Sequence, residues 1–345
     1  MRILLTADAE LPVPPLLYGG IERIIASLAR RFRELGHEVG LVAHRESSAR
    51  CDGFFPWPGS TSTTYGDCWL NACALRRAFA KFDPDVVHSF SRLLWLLPLR
   101  WDYRPKIMSY QREPTTRTVA WSSRLHGARL RFTGCSRKIC RIGERAGGNW
   151  TAIPNFVDMG TFTFVQKVPD DAPLVFLSRI ERIKGVHNAI AIARKAGRRL
   201  IIAGNVVEQG ESGTYWREEI KPQLDRDGIE YVGPVNDEQK NKLLGQAAGL
   251  LVPVEWEEPF GIVFAEALAC GTPVISSPCG ALPEVVRNGV DGFLVTDTTS
   301  GAEAVGKLAS LNRYECRRRV ETEFSLEVIA EKYLAVYEQA GREKA

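Results

Sequence analysis

Glu258 and Glu266 stand eight residues apart, either side of a glycine where a helical run begins. The stretch reads Glu257-Glu258-Pro259-Phe260-Gly261-Ile262-Val263-Phe264-Ala265-Glu266. It follows the strand-like Leu250-Leu251-Val252-Pro253. A helix opening at Phe260-Gly261 leaves the amides of Gly261, Ile262 and Val263 without intrahelical acceptors. Such a terminus attracts anions and suits a diphosphate. Gly261 lets a ligand approach the backbone closely. Glu266, one to two turns in, is placed to reach a ribose diol, and Glu258 to accept hydrogen bonds from sugar hydroxyls. Glu257 is the rival for either role. Taken alone, the pair is weak evidence, because acidic residues near a helix start also simply complement its dipole.

A second cluster, Ser178-Arg179-Ile180-Glu181-Arg182-Ile183-Lys184-Gly185, lies between a strand and a helix. Arg179 can bind phosphate oxygens bidentately and Lys184 can act as a point charge. Both would stabilise a departing diphosphate, as metal-free transfer requires. Three solvated cations in a loop are the plain alternative. A third cluster, Tyr18-Gly19-Gly20-Ile21-Glu22, offers bare amides after the first strand. A simple turn reads equally well there. It contains neither Gly-x-Gly-x-x-Gly nor a Walker A sequence, which disfavours a nicotinamide dehydrogenase and a P-loop enzyme.

The elements that must carry these clusters follow an α/β alternation. Ile3–Thr6 reads as a strand, Ile21–Leu35 as an amphipathic helix stopped by Gly36, and Glu38–Ala43 as a strand. Asp85–His88, Lys106–Tyr110 and Leu130–Thr133 are further strand candidates. After the polar stretch Met159–Pro173, taken as a linker, the pattern restarts. Strands are expected at 174–178, 200–203, 229–232, 249–252, 273–276 and 292–295, with helices at 186–196 and from Gly261 to Cys270-Gly271. The pattern implies two Rossmann-like parallel-sheet domains facing a central cleft, with ligands at the carboxyl ends of strands. The expected division is 1–160, 161–325, and a final helix, 326–345, packing back across the junction.

Composition narrows the class. The 345 residues are 45% hydrophobic and 25% charged, ordinary for a soluble protein. No apolar run reaches the roughly 18 residues of a membrane span. The opening Met1–Asp8 reads as a strand rather than a signal peptide, so a cytoplasmic location is expected. Eight cysteines include no Cys-x-x-Cys pair and no zinc spacing with the histidines, so free thiols are expected, with Cys270 and Cys279 buried. The net charge is +4, yet residues 100–145 hold twelve Lys/Arg against three Asp/Glu. That run is either a solvated face or a contact for an anionic membrane surface. No nucleic-acid motif accompanies it. Six of the eight tryptophans lie in the first 150 residues, and Phe54-Phe55-Pro56-Trp57 reads as an aromatic loop.

In order along the chain, these segments resemble glycosyltransferase family 4. The N-terminal matches are Tyr18-Gly19-Gly20-Ile21-Glu22-Arg23, Gly36-His37-Glu38-Val39 and Asp85-Val86-Val87-His88. Ile153-Pro154-Asn155-Phe156-Val157-Asp158 resembles its domain junction. Arg179…Lys184-Gly185, Glu258-Pro259-Phe260-Gly261…Glu266, Gly271-Thr272-Pro273-Val274 and Gly280…Glu284…Asp291-Gly292 resemble its donor half. The resemblance implies a GT-B fold and retaining, metal-independent transfer of a hexose from a nucleotide sugar, with UDP favoured over GDP or ADP. It implies Arg179 and Lys184 on the diphosphate, Glu258 on the sugar, and Glu266 on the ribose. Arg179, Lys184 and Glu258 would carry the catalysis. Phe260 and the amides of Gly261, Ile262 and Val263 would line the donor, Gly233 and Val235 would face the base, and Gly19 and Gly20 the phosphate. The chain departs from the family in three places. Phe90 and Arg112 stand where many members have histidine, and Phe156 follows Asn155 in place of glycine. His88 reads as a structural strand-end residue. The acceptor is open: a glycan, a lipid-linked glycan or a small molecule. A nucleotide-sugar epimerase of related fold and an inactive sugar-nucleotide-binding descendant are the alternatives.

Overall fold

The computed structural model describes residues 1–15 and 19–342. Two compact units are present, one formed by Met1–Asn155 with the chain from Leu326, the other by Phe156–Ser325.

The first unit holds strands β1 (Arg2–Thr6), β2 (Glu38–Ala43), β3 (Gly53–Pro56), β4 (Val86–Ser89), β5 (Lys106–Tyr110), β6 (Leu130–Gly134) and β7 (Asn149–Ala152). Its helices are α1 (Gly20–Glu34), α2 (Tyr65–Phe82), α3 (Thr116–His126) and α4 (Arg137–Glu144). The strands form a parallel sheet in the order β3-β2-β1-β4-β5-β6-β7. Leu4, Val42, Val87, Met108 and Phe132 point to one face, packing with Leu75 and Phe79 of α2, Leu96 of a 3-10 turn at Leu93–Leu99, Val119 of α3 and Cys140 of α4. Strand residues alternate between faces, so His88 and Ser109 point to the other.

The second unit holds β8 (Leu174–Leu177), α5 (Val186–Lys195), β9 (Leu200–Ala203), α6 (Gly210–Tyr215), β10 (Ile229–Gly233), α7 (Asp237–Gln246) and β11 (Gly249–Val252). It continues with α8 (Ile262–Ala269), β12 (Val274–Ser276), α9 (Leu282–Val285), β13 (Gly292–Leu294), α10 (Thr298–Lys307) and α11 (Arg313–Glu323). Its sheet is also parallel, in the order β10-β9-β8-β11-β12-β13. The last helix, α12 (Leu326–Arg342), belongs to the first unit. There Tyr337 meets Phe32 of α1 edge-on and contacts His88.

The observed elements correct several expectations. Phe54-Phe55-Pro56 is not a loop; it is the edge strand β3, paired with β2, with only alternate residues half-buried. α2 and β7 were not anticipated. The 159–173 stretch carries no named element, yet it is no free tether: Val165 donates its amide to Cys270 O and Thr163 to Asn241 Oδ1. The basic run 100–145 is not one face. Lys106 is fully buried and donates to Asp102 O, Arg131 is buried, and Arg104 pairs with Asp102 and Asp83. All eight cysteines are free; Cys270 is buried, whereas Cys279 is only half-buried. Among the described residues no helix is long and apolar enough to cross a membrane.

Candidate active site

In a parallel sheet the ligand crevice lies at the strand carboxyl ends, where the order reverses. In the second unit that point lies between β8 and β11, which pair directly. The loop after β8 carries Arg179 and Lys184, and the loop after β11 carries Glu258. Gly185 joins them. Its φ is +76°, and a Cβ there would lie 2.0 Å from Pro253 O, so only glycine fits. Glu255 N donates to Ile183 O across the same seam at 2.8 Å.

Lys184 Nζ lies 2.7 Å from Glu258 Oε2, with both side chains about nine-tenths buried (10% and 12% exposed). Trp256 Nε1 donates to the same oxygen at 3.0 Å, and the ammonium lies 4.3 Å from the Trp256 ring centre. The Glu258 carboxylate is therefore oriented by two donors and sheltered from water. Arg179 pairs with Glu181 at 2.8 Å and stays partly exposed. Arg182 turns away to Glu219.

Gly261 caps the start of α8, and its φ of +82° and close Phe264 ring make it another obligatory glycine. The amides of Ile262 and Val263, in the first turn, have no carbonyl a turn back to bond. Glu257 is withdrawn from the contest with Glu258, because its Oε2 accepts from Gly280 N at 2.8 Å. Phe260 is buried edge-on against Phe324, so its side chain packs the interior. Glu266 accepts from Lys240 Nζ at 2.6 Å, and Lys240 also reaches Asp237 at 3.3 Å. Gly233, in the left-handed region at the end of β10, accepts from Gly204 N, and Val235 beyond it is half-buried. Sequence reasoning missed Lys240 and Trp256. Trp256 had a signal, standing two residues before Glu258. Lys240 had none, being 26 residues from its partner.

In the first unit the reversal falls between β1 and β4. Gly19 and Gly20 stand at the start of α1; Tyr18 lies outside the described residues. A Cβ on Gly19 would press on Pro15 and on Glu22 Oε2, both at 2.8 Å. Beyond β1 lie Asp8 and Glu10, which the sequence did not flag. Asp8 Oδ1 and Arg92 Nε stand 3.6 Å apart, too far to hydrogen-bond, and both atoms are buried without a hydrogen-bond partner. Burial raises the Asp8 carboxyl to about 6, against the pull of Arg92 and Arg112. Glu10 accepts from Ser62 N at 2.8 Å and from its hydroxyl. Glu22 is buried, and that desolvation raises its carboxyl too, with Asp8 and Glu10 adding to the rise.

His88 and Phe90 face inward instead. His88 is fully buried, bonded to Tyr337 Oη at 2.5 Å and Ser109 Oγ at 2.6 Å, and burial drives its pKa down to about 3. It is a neutral packing residue at any ordinary pH. Phe90 is buried, its ring 4.3 Å from that of His88. Arg112 is exposed just beyond β5.

Two family models match. The one described as Glycosyltransferase Family 4 covers residues 18–160, and the one described as Glycosyl transferases group 1 covers 161–322. A glycogen synthase of Mycobacterium tuberculosis (strain H37Rv) is 30% identical over 207 residues, 56% of this chain and 49% of that protein. The chain thus matches about half the length of the first curated relatives. A D-inositol 3-phosphate glycosyltransferase of Stackebrandtia nassauensis is 26% identical over 352 residues, 85% of this chain and 79% of that one. Among solved structures, Anabaena HepE in complex with UDP and glucose superposes with a TM-score of 0.73 at 19% identity, covering 98% of this chain and 100% of that one. At that identity the likeness speaks for the fold.

Proposed function

From the premise that the chain belongs to glycosyltransferase family 4, with the GT-B pairing of two Rossmann-like sheets, we propose that it moves a hexose from a nucleoside diphosphate sugar to an acceptor hydroxyl. The carrying observation is the Lys184–Glu258 pair, 2.7 Å apart beside the start of α8, where the strand order reverses. It sets a cation and an oriented carboxylate next to free amides, which is what a diphosphate joined to a polyhydroxyl ring needs. UDP is the favoured nucleotide. The fold neighbour solved with UDP and glucose supports a nucleotide-sugar donor.

In this reading residues 161–325 bind the donor and 1–160 present the acceptor. Arg179, Lys184 and the amides of Gly261, Ile262 and Val263 take the diphosphate. Glu258 accepts from sugar hydroxyls, Glu266 from the ribose diol, and the backbone of Gly233 and Val235 faces the base. Gly19 and Gly20 approach the phosphate through their amides. The acceptor oxygen bonds to the anomeric carbon on the face from which the diphosphate oxygen leaves. The departing phosphate takes the acceptor's proton, so configuration is retained and no protein nucleophile is used. Lys184 and the α8 amides stabilise the charge that develops on the leaving group. The acceptor is a glycan, a lipid-linked glycan or a small molecule, and the enzyme works in the cytoplasm.

A thermal-shift screen of nucleotides and nucleotide sugars tests this. Stabilisation by UDP and by one UDP-hexose, followed by transfer in an acceptor screen, is the expected result. Stabilisation by no nucleoside diphosphate would overturn the reading.

A further inference from the structure

The first unit exposes a set of large apolar side chains that the donor chemistry does not use. On α2, Tyr65 is 96% exposed and Trp69 71%, with Leu70 beside them. On the 3-10 turn Leu93–Leu99, Leu94 is 55% exposed, and on α3 Trp121 is 67% exposed, with Leu125 next to it. The three elements share one side of the sheet. Their inward residues Leu75, Leu96 and Val119 belong to one core, so their outer faces look the same way. Tyr65, Trp69 and the Arg76-Arg77 pair recur along α2 at helical spacing, as do Arg117, Trp121 and Arg124-Leu125 along α3. These arginines are exposed, as is Lys81. α3 contains no acid, and the one acid of α2, Asp67, is half-buried in its first turn.

Contiguous exposed apolar surface marks an interaction site. We propose that the outer faces of α2, the 3-10 turn and α3 dock on an anionic lipid bilayer. The inference is independent of the donor-site reading. It also moves the membrane contact from the basic run 100–145 to a surface drawn partly from α2. Two features select lipid. Trp and Tyr with an apolar ring and a polar tip suit the headgroup layer, where Arg extends its stem over apolar surface and keeps its guanidinium at the phosphates. A second copy of the chain is disfavoured, because face-to-face association would set Arg76, Arg77, Arg117 and Arg124 against their own kind.

The test is sedimentation of the full chain with vesicles of phosphatidylcholine alone and of phosphatidylcholine with phosphatidylglycerol. Binding to the anionic vesicles only is expected. The pairs Trp69→Ser with Trp121→Ser, and Arg117→Gln with Arg124→Gln, should each weaken it by about tenfold or more. Unchanged circular dichroism would confirm that these exposed variants fold. The proposal is overturned if anionic vesicles do not bind, if neutral vesicles bind equally, if the variants bind like wild type, or if size-exclusion shows a dimer that Trp69→Ser with Trp121→Ser dissolves.

Discussion

At the scale of single residues, the proposed donor site centres on an ion pair that also stabilises the resting fold. Lys184 and Glu258 are both largely buried, so removing one strands the other. Lys184→Ala leaves Glu258 with the Trp256 Nε1 donor but no cation, and should lower stability by about 1–3 kcal/mol. It should also cut turnover by about 10²–10³-fold. The double variant Lys184→Ala with Glu258→Gln separates the two effects: denaturation should show most of the stability regained, while transfer stays lost. Recovery of transfer along with stability would reduce Lys184 to a structural partner. A second expectation concerns Asp8. Its folded carboxyl sits at about 6 against an ordinary 3.8. A raised carboxyl favours the protonated fold, so this contribution is full below about pH 4 and is lost as pH rises through 6. Asp8→Asn should match wild type at pH 4 and exceed it by on the order of 2 kcal/mol at pH 8, read by urea denaturation. Equal stabilities at pH 8 would count against the raised value.

Among elements, the loops after β8 and β11 matter most, because glycine geometry fastens them together. Gly36 and Gly185 both have φ near +80°, but a Cβ at Gly36 meets open space, whereas at Gly185 it meets Pro253 O. Gly36→Ala should therefore cost only about 1 kcal/mol of backbone strain. Gly185→Ala should cost clearly more and weaken nucleotide binding, measured by melting with and without UDP; equal losses would refute the contact. This scale also shows what the sequence could tell. The central strands were legible because strands covered on both faces become apolar runs: Glu38–Ala43, Lys106–Tyr110, Leu200–Ala203 and Gly249–Val252 were expected to the residue. β3 was not, since an edge strand of four residues ending in proline looks like a turn. α2 was hidden because its outer face carries Tyr65, Trp69 and Leu70, which blur the amphipathic period. Lys240 could not be linked to Glu266, because a tertiary contact between two helices leaves no local pattern.

For the whole molecule, two sheets with the same parallel logic each reverse order at one point, and each gathers charged residues there. The chain completes the first unit only after the second, through α12, whose Tyr337 and Tyr333 cover His88 and Ser109. That burial fixes His88 and Phe90 as packing residues, which the sequence could suspect only for His88. The central claim is that residues of the second unit hold a nucleoside diphosphate sugar between Lys184, Glu258, Glu266 and the start of α8. Titration calorimetry of UDP against wild type and against the Lys184→Ala with Glu258→Gln variant tests it most directly. The account predicts one saturable site on wild type and affinity lowered by about tenfold or more in the variant. Equal affinity in both proteins would contradict it.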